Sequence, residues 1–165
     1  TRIESGQKRR ALLSTDLVQI VKLAMETSEP DAAERGITIS VVSPPSVKFF
    51  ADADEMEIIF NNLISNAVKY NRDNGSVKVH IEELVSSVNI QVDDTGIGMS
   101  DDECSRLFED FVRIKNEQTR SIPGSGLGLS IVKKIALLYN GEAAVSSTPG
   151  VGSTFTVVLS KMPAE

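Results

Sequence analysis

The stretch Asp93-Asp94-Thr95-Gly96-Ile97-Gly98-Met99 is the part of the sequence around which we expect the rest of the chain to be organised. Just before it, residues 88–92 alternate apolar and polar side chains, which predicts a strand that brings Asp94 to a turn. Glycine lacks Cβ, so Gly96 and Gly98 allow positive φ angles and the close approach of a flat ligand. A buried, ionised Asp94 only accepts hydrogen bonds, and it would therefore select a ligand edge that donates, such as the exocyclic amine of adenine.

Guanine presents a carbonyl at the position of that amine. Leaving such a hydrogen bond unmade costs about 1–3 kcal/mol, so a site of this kind would discriminate between the two bases. The same residue pattern is also found in tight turns whose Asp binds its own backbone. The motif alone therefore leaves a base-binding loop and a simple turn equally open.

The composition indicates one soluble globular domain. The 165 residues suffice for a sizeable core, and 41% hydrophobic with 24% charged residues is typical of soluble proteins. No apolar run approaches the roughly 20 residues of a membrane span, and no signal-peptide pattern opens the chain. A formal net charge of −6 argues against a general nucleic-acid binder, which needs a basic surface. We therefore expect no nucleic-acid partner and no membrane contact by this domain.

A single cysteine and a single histidine leave little room for metal or redox chemistry. Cys104 cannot form an internal disulfide, and its helical setting favours a packed side chain over a reactive thiol. His80 lies in the alternating run 77–81, which favours a solvent-facing strand position over a catalytic one. Zinc frameworks and Ser-His-Asp sets are therefore excluded, and a reducing, cytosolic compartment fits.

The first part of the chain predicts a surface helix and two strands. Residues 1–10 are polar and basic, as expected for the frayed end of a longer segment. Apolar residues at helical spacing then predict a helix over 16–28, preceded by Ser, Thr and Asp as candidate caps. We expect a turn over 29–36, followed by strands over 37–42 and 47–51 with a Pro-Pro break between them.

Residues 54–70 predict a long helix with two distinct faces. Its apolar residues form one stripe, as packing on a core requires. Asn62, Asn66 and Lys69 fall within about 60° of one another on a second stripe. Amides beside a lysine suit a metal-bound polyphosphate, because Mg²⁺ prefers oxygen ligands and Lys adds positive charge. The alternative is a solvated face, but such faces usually carry Glu and Lys rather than Asn, a poor helix former.

The middle of the chain predicts a hairpin followed by a long loop. Residues 77–84 and 88–93 form the hairpin, and Ser100 is expected to cap a short helix that ends at Phe108. Residues 109–126 are polar and show no clear periodicity. A loop of this length in a compact domain is usually functional, often a lid over a site, and its basic residues could reach phosphates.

The run Gly124-Ser125-Gly126-Leu127-Gly128 opens an amphipathic helix over 129–139 that ends at Asn140-Gly141. Free N–H groups and the helix dipole at its N-terminus make a phosphate cradle. A Rossmann motif is excluded because a loop precedes the glycines and Leu129 takes the third glycine position, and a Walker motif because no Lys-Ser/Thr follows. Two strands, 142–147 and 153–159, close the chain.

Together these segments resemble the catalytic domain of sensor histidine kinases over residues 52–159. Five motifs occur in the order of that family: residues 62–70 resemble its N box, 94–98 its first glycine box, 108–113 its F box, 124–129 its second glycine box and 150–155 its late glycine element. The opening Arg2-Ile3-Glu4-Ser5-Gly6 also resembles the end of the second helix of the preceding dimerisation domain.

The resemblance implies an α/β fold, the two-layer sandwich called the Bergerat fold, with a mixed sheet, helices on one face and a flexible ATP lid. It implies ATP and Mg²⁺ as cofactors, with Asn66 as the metal ligand and catalytic roles for Asn62, Lys69 and Arg113. The nucleotide-binding residues that it implies are Asn62, Asn66, Lys69, Tyr70, Asp94, Gly96, Gly98, Gly124, Ser125, Gly126, Leu127, Gly128 and Thr154.

The same resemblance implies transfer of the γ-phosphoryl group of ATP to a histidine in two-component signalling. The acceptor histidine normally lies upstream, and His80 lacks the helical setting and flanking acid of that box, so the expected partners are the protein's own dimerisation domain and a response regulator receiver domain. We expect residues 1–10 to be a remnant of the dimerisation helix and 11–165 to be a cytoplasmic catalytic domain, with sensor and membrane segments upstream in the family. The lid carries Ile114-Lys115 where relatives often carry an apolar-acidic pair.

Three other functions use the same nucleotide fold or the same pockets. ATPases such as topoisomerase B subunits, ninety-kilodalton chaperones and mismatch-repair proteins place a water-activating glutamate where this chain has Asn62, an amide that cannot act as a general base. A serine kinase of the anti-sigma type is built on the same boxes. A module that binds nucleotide without transferring phosphate also fits the sequence.

Overall fold

The computed structural model describes residues 9–109 and 128–161 of the chain. Helices and strands alternate irregularly along it. The strands are β1 (Leu12–Asp16), β2 (Thr38–Val42), β3 (Lys48–Asp52), β4 (Ser76–Glu83), β5 (Ser87–Asp94), β6 (Glu142–Thr148) and β7 (Gly152–Ser160). The helices are α1 (Leu17–Glu34), α2 (Ala53–Lys69), α3 (Asp101–Arg106) and α4 (Gly128–Leu138).

A five-stranded sheet in the order β2-β4-β5-β7-β6 forms one layer, and helices form the other. β2 and β4 are parallel and the remaining pairs are antiparallel, which confirms the predicted mixed sheet. Because side chains alternate along a strand, every second residue points to the helices. These residues are the buried Val77, Val79, Ile81, Val88, Ile90, Val92, Phe155, Val157 and Leu159.

Helix α2 is the central element of the helical layer and contacts both α1 and α4. It begins at the N-cap Asp52, whose Oδ1 accepts a hydrogen bond from the Glu55 N–H at 3.1 Å. Its apolar stripe is buried, as the periodicity predicts. At its C-terminus the Arg35 guanidinium donates to the carbonyl of Val68 at 2.8 Å, which satisfies one of the last free carbonyls. The predicted helix over 54–70 is therefore confirmed to within one residue at either end.

Helix α1 extends beyond its predicted end. The turn predicted over 29–36 is wrong, because the helix continues through Pro30 to Glu34 and the chain turns at Gly36, whose φ is +67°. Pro30 removes one helical hydrogen bond. Ser28 and Ala32 nevertheless continue the buried stripe of the helix at i, i+4 spacing, so packing decides its length.

Strand β1 was not predicted, since its five residues show no clean alternation. It pairs antiparallel with β3 in a separate two-stranded sheet. The predicted hairpin is confirmed as β4 and β5. Ser100 caps α3 in a capping box with Glu103, but the helix ends at Arg106 rather than at Phe108.

Most of the predicted lid over 109–126 lies outside the described residues. In the part of the chain that the structure describes, no helix combines the length and the apolar character needed to cross a bilayer.

Candidate functional site

Asp94 is the last residue of β5 and lies next to the loop that follows. The surroundings of its side chain are here called the Asp94 pocket. Asp94 Oδ1 accepts hydrogen bonds from the N–H groups of Gly96 at 2.8 Å and Ser153 at 3.3 Å. Oδ2 accepts no hydrogen bond from residues 9–109 or 128–161. One carboxylate oxygen thus orients the side chain, and the other is left for a donor that the protein does not supply.

Burial raises the pKa of Asp94 to about 6. The two backbone N–H groups lower this pKa and the neighbouring charge of Asp93 raises it, but desolvation is the largest effect. The carboxylate is therefore mostly ionised at neutral pH while being poorly hydrated. Such a group gains more than an exposed one from a ligand that donates a hydrogen bond.

Gly96 and Gly98 lie so close to other backbone segments that a side chain at either position would clash. A Cβ on Gly96 would lie 2.2 Å from the Tyr70 carbonyl oxygen, and one on Gly98 would lie 2.0 Å from the Thr148 carbonyl oxygen. Gly98 also has a φ of +69°. These close approaches are between chain segments: Gly96 lies against the residue that follows α2, and Gly98 lies against the end of β6. The close approach of a flat ligand to the two glycines stays a prediction.

The polar stripe of α2 faces away from the core beside this loop. Asn62, Asn66 and Tyr70 are half-buried and Lys69 is exposed. The Asn62 amide donates to the Ile58 carbonyl at 2.7 Å, within its own helix. Among the described residues, the side chains of Asn66 and Lys69 have no hydrogen-bonding or ionic partner. An amide and an ammonium without internal partners on one helix face are suited to binding an external group.

The beginning of α4 meets this stripe at Asn62. A Cβ on Gly128 would lie 2.4 Å from Asn62 Oδ1, so the absence of a side chain lets the two helices approach. The structure therefore places Gly128, the first residue of α4, against Asn62 of the polar stripe. The other residues predicted for the phosphate end, Arg113, Gly124, Ser125, Gly126 and Leu127, lie outside the described residues.

Thr154 is not brought to the site. It pairs with Asp93 in the β5–β7 register, whereas Asp94 pairs with Ser153. Direct partners in an antiparallel pair share one face of the sheet, so Thr154 lies on the face opposite to Asp94. The residue of the late glycine element that reaches Asp94 is Ser153, which is buried. Counting every second residue back from the apolar positions 157 and 155 would have identified it.

Two neighbouring residues support the Asp94 loop and were not among the predicted site residues. Asn71 is buried; its amide donates to the Ser76 carbonyl at 3.0 Å and its Oδ1 accepts from the Thr95 hydroxyl at 3.0 Å. Arg72 donates to carbonyls of the loop itself, including that of Gly96 at 3.3 Å. Their position directly after the polar stripe was the available signal.

The donor set fits a magnesium-bound nucleotide better than a resident metal. No group of three or more His, Cys, Asp or Glu that could hold an ion occurs in the described part of the chain. Mg²⁺ commonly takes only one or two protein oxygens and completes its shell with phosphate oxygens and water. The amide of Asn66, exposed on the same face as Lys69, fits that limited role.

The two chemically distinctive residues outside the site behave as the sequence indicates. His80 lies on the sheet face away from the helices, with Nε2 3.4 Å from Asp93 Oδ2. Cys104 is half-buried and has no disulfide partner, and burial raises the pKa of its thiol. Neither residue contributes to the Asp94 pocket.

Sequence comparison links residues 51–163 to the family described as histidine kinase-, DNA gyrase B-, and HSP90-like ATPase. The sensor-like histidine kinase SenX3 of Mycolicibacterium smegmatis is 31% identical over 163 residues, which are 99% of this chain and 42% of that protein. The histidine-protein kinase BaeS of Escherichia coli K12 is 32% identical over 87% of this chain and 31% of its own length. The chain thus spans less than half the length of these relatives.

Solved structures agree with these matches. The mycobacterial sensor histidine kinase MprB has a TM-score of 0.79 at 24% identity, over 93% of this chain and all of that one. Full-length ShkA in complex with AMPPNP has a TM-score of 0.82 at 28% identity, over 96% of this chain and 33% of ShkA. The predicted sandwich and the resemblance to the histidine kinase catalytic domain are both confirmed.

Proposed function

The chain belongs to the family of histidine kinase-, DNA gyrase B-, and HSP90-like ATPases, and on this premise we propose that it is the ATP-binding catalytic domain of a sensor histidine kinase. It binds ATP with Mg²⁺ between α2 and the start of α4, and it transfers the γ-phosphoryl group to a histidine outside this chain. The observation that carries the proposal is the half-buried carboxylate of Asp94, whose Oδ2 is left for a ligand beside a polar helix face.

Asp94 selects adenine. Oδ2 accepts a hydrogen bond from the exocyclic amine, while the Gly96 N–H is already occupied by Oδ1. Guanine would turn a carbonyl toward the carboxylate, and two acceptors repel each other at short range. The AMPPNP present in the ShkA complex is an adenine nucleotide analogue, which supports this assignment.

The polar stripe of α2 and the beginning of α4 hold the phosphates. Asn66 supplies an amide oxygen to Mg²⁺, which neutralises phosphate charge when bound. Lys69 adds positive charge on the same helix face. The N-terminus of α4 adds free N–H groups and its dipole, next to Asn62. Arg113 and residues 124–127 remain predicted to complete this end of the site.

The reaction is an in-line phosphoryl transfer. A histidine nitrogen bonds to the γ-phosphorus, the bond between that phosphorus and the β,γ-bridging oxygen breaks, and ADP leaves. The residues of this domain orient the phosphates and stabilise their charge, and they need not form a covalent bond themselves. The acceptor lies in a dimerisation domain, and a response regulator receives the phosphoryl group next. A solved complex of the histidine kinase ThkA with the response regulator protein TrrA supports a response regulator as a partner.

ATP hydrolysis is not the activity of this domain. The ATPases of the family use a glutamate to activate water, and the corresponding Asn62 is an amide that donates to its own helix. We expect negligible ATP turnover by the isolated domain. Turnover similar to that of true ATPases, lost in an Asn62→Ala variant, would contradict the kinase proposal.

Calorimetric titration with ADP and GDP in the presence of Mg²⁺ tests nucleotide binding. We expect selective ADP binding that Asp94→Asn weakens by about 100-fold or more. Equal or absent binding of both nucleotides by the folded wild-type protein would refute the proposal. Incubation of the domain with ATP and a separately produced histidine-bearing dimerisation domain then tests transfer. Transfer of a labelled γ-phosphoryl group to that histidine supports a kinase. Tight ATP binding without any transfer would support a nucleotide-sensing module instead.

A further inference from the structure

Arg72 joins three chain segments around the Asp94 pocket. It lies just beyond the end of α2, and its guanidinium donates to the carbonyls of Thr95, of Gly96 at 3.3 Å and of Gly150 at 2.7 Å. Thr95 and Gly96 belong to the loop after β5, and Gly150 belongs to the turn between β6 and β7. The side chain therefore connects segments that are up to 78 residues apart in sequence.

Both groups that orient the Asp94 carboxylate belong to the segments that Arg72 holds. The Gly96 N–H donates to Asp94 Oδ1 at 2.8 Å, while the Gly96 carbonyl accepts from Arg72. The Ser153 N–H donates to the same oxygen at 3.3 Å, three residues after Gly150. Movement of either segment would rotate the carboxylate or remove one of its two donors.

An arginine suits this role for geometric reasons. The guanidinium is planar and carries donors that point in several directions, so one side chain can serve several carbonyls at once. A lysine has a single ammonium and cannot span the same set. The backbone of Arg72 is itself fixed, because its N–H donates to the Oδ1 of buried Asn71 at 2.8 Å.

From this arrangement we infer that Arg72 is a positioning residue for adenine recognition, which acts through the Gly96 and Ser153 N–H groups on Asp94. The inference rests on the proposed role of Asp94 in binding the adenine amine. Nε and Nη2 of Arg72 donate to backbone carbonyls of the loop and the turn, so we assign the side chain a role through these segments and not a contact with the base or the phosphates. Its loss should therefore weaken only those ligands that use Asp94.

Inosine diphosphate provides the discriminating ligand. It keeps the ribose and the phosphates of ADP but carries a carbonyl in place of the exocyclic amine, so it gains nothing from an oriented Asp94. We expect Arg72→Ala to weaken ADP binding about tenfold and to change inosine diphosphate binding less than twofold. Arg72→Lys should recover part of the ADP affinity, because it restores one of the contacts.

The experiment measures the dissociation constants of ADP and of inosine diphosphate by NMR titration, which extends to the millimolar range. The proteins compared are the wild type, Arg72→Ala, Asp94→Asn and the double variant. In the Asp94→Asn background, Arg72→Ala should have no further effect on ADP, since coupled residues are not additive. Lys161→Ala is the control for loss of one positive charge. Its Nζ contacts Glu83 at 3.0 Å beyond the opposite end of β7, and the change should leave both affinities unaltered.

The outcomes separate this inference from the function on which it rests. If the wild type does not bind ADP, the proposed function fails and the role of Arg72 fails with it. If the wild type binds ADP but Arg72→Ala binds it equally well, only the inference about Arg72 is overturned. Equal weakening of both ligands, or an undiminished effect in the Asp94→Asn background, would likewise overturn it, because either result indicates a general loss of structure or a direct phosphate contact.

Discussion

The two ends of helix α2 carry polar groups in opposite states. At its beginning, Asp52 and Glu55 are 2% and 1% exposed and lie among partners from other elements. At its end, Asn66 and Lys69 are accessible and have no partner among the described residues. The polar groups at the beginning of this helix thus bind other groups of the protein, whereas those at its end are available to a ligand.

At the beginning of α2, the buried Asp52, Glu55 and Tyr139 and the partly exposed Arg10 form a cluster, here called the Glu55 cluster. Arg10 binds Glu55 through two hydrogen bonds of 2.8 and 3.0 Å. The Tyr139 hydroxyl donates to Glu55 Oε1 at 2.6 Å and accepts from the Asp52 N–H at 2.9 Å. The Arg10 guanidinium also lies 5.2 Å from the centre of the Tyr139 ring.

The difference reflects the cost of burying polar groups. A buried charge without a partner costs several kcal/mol, so the Glu55 cluster satisfies its polar groups internally and connects β1, α2, β3 and α4. A binding site must leave groups unsatisfied, and the protein accepts that only where solvent or a ligand can reach them. Changes at the Glu55 cluster should therefore alter stability, and changes at the Asp94 pocket should alter binding.

The strongest test of this division is Glu55→Ala. It leaves the Arg10 guanidinium and the Tyr139 hydroxyl without their shared partner, and we expect the free energy of unfolding to fall by about 3–5 kcal/mol. Urea denaturation measures this, and ADP affinity of the folded protein should not change. Glu57→Ala, at an exposed position of the same helix, is the control and should cost little. A loss below about 1 kcal/mol for Glu55→Ala would break the comparison.

At the other region, Asp94→Asn should weaken ADP binding by about 100-fold or more, since an amide nitrogen or a weaker acceptor replaces the carboxylate oxygen. Stability should not fall. Because the pKa of Asp94 is raised by burial to about 6, the unfolded chain ionises first, and the wild type loses stability as the pH rises from about 4 to 6. Asp93→Asn, on the opposite sheet face, is the control for ADP binding. A less stable Asp94→Asn protein at pH 7 would contradict this account.

The only two tyrosines of the chain offer a direct comparison of the two ends. Tyr139→Phe removes two buried hydrogen bonds and should lower the free energy of unfolding by about 1–2 kcal/mol. Tyr70→Phe removes a hydroxyl without a partner in the described chain, and its unfolding free energy should stay within about 0.5 kcal/mol of the wild type. If the two variants lose similar amounts of unfolding free energy in denaturation experiments, the hydroxyl of Tyr70 also makes a stabilising hydrogen bond.

Alkaline titration sharpens the same comparison. Burial raises the pKa of Tyr139 to about 12, above its ordinary value near 10. The unfolded chain therefore releases this proton first, and the wild type should lose stability as the pH rises from about 10 to 12. Tyr139→Phe should not show this part of the loss. An identical alkaline decline in both proteins would assign it to other groups.

The smallest expected effect is the pH dependence of base selectivity. Protonation of Asp94 turns one of its oxygens into a donor and leaves a weaker, neutral acceptor, so the preference for ADP should decline as the pH falls through about 6. The ratio of ADP to inosine diphosphate affinity should fall about tenfold from pH 7 to pH 5, and taking the ratio cancels titration of the phosphates. A constant ratio of the two affinities over this pH range would mean that Asp94 does not bind the exocyclic amine.

Elements that depend on neighbours in sequence were predicted well. The two-face pattern of α2, the hairpin β4–β5 and the capping of α3 by Ser100 follow from periodicity and from side chains that act within one turn. The exceptions are elements whose limits are set by distant contacts. α1 continues past Pro30 because Ser28 and Ala32 pack on the core, and β1 exists because β3 is available to pair with it.

The site divides in the same way. The motifs predict Asp94, Asn66 and Lys69 as site residues, and the structure brings the end of β5 and the end of α2 together. Thr154 was misassigned because the face of a strand residue depends on register, which one residue reverses. Arg72 and the Glu55 cluster carry no motif, since an arginine in a turn or a glutamate in a helix is common anywhere.

The sequence by itself thus determined the fold class and the family, and it predicts the chemistry of the ligand, because these reside in short-range patterns and in residue types at fixed spacing. Only the tertiary structure decided which polar groups are satisfied internally and which remain for a ligand. Glu55 and Tyr139 are 84 residues apart, as Arg72 and Gly150 are 78 apart, and only the packing of helices on the sheet brings them within hydrogen-bonding distance. Burial then decides the energetic role of each group. A carboxylate without a partner destabilises the fold when it lies in the core, whereas at a pocket the same carboxylate can bind a ligand.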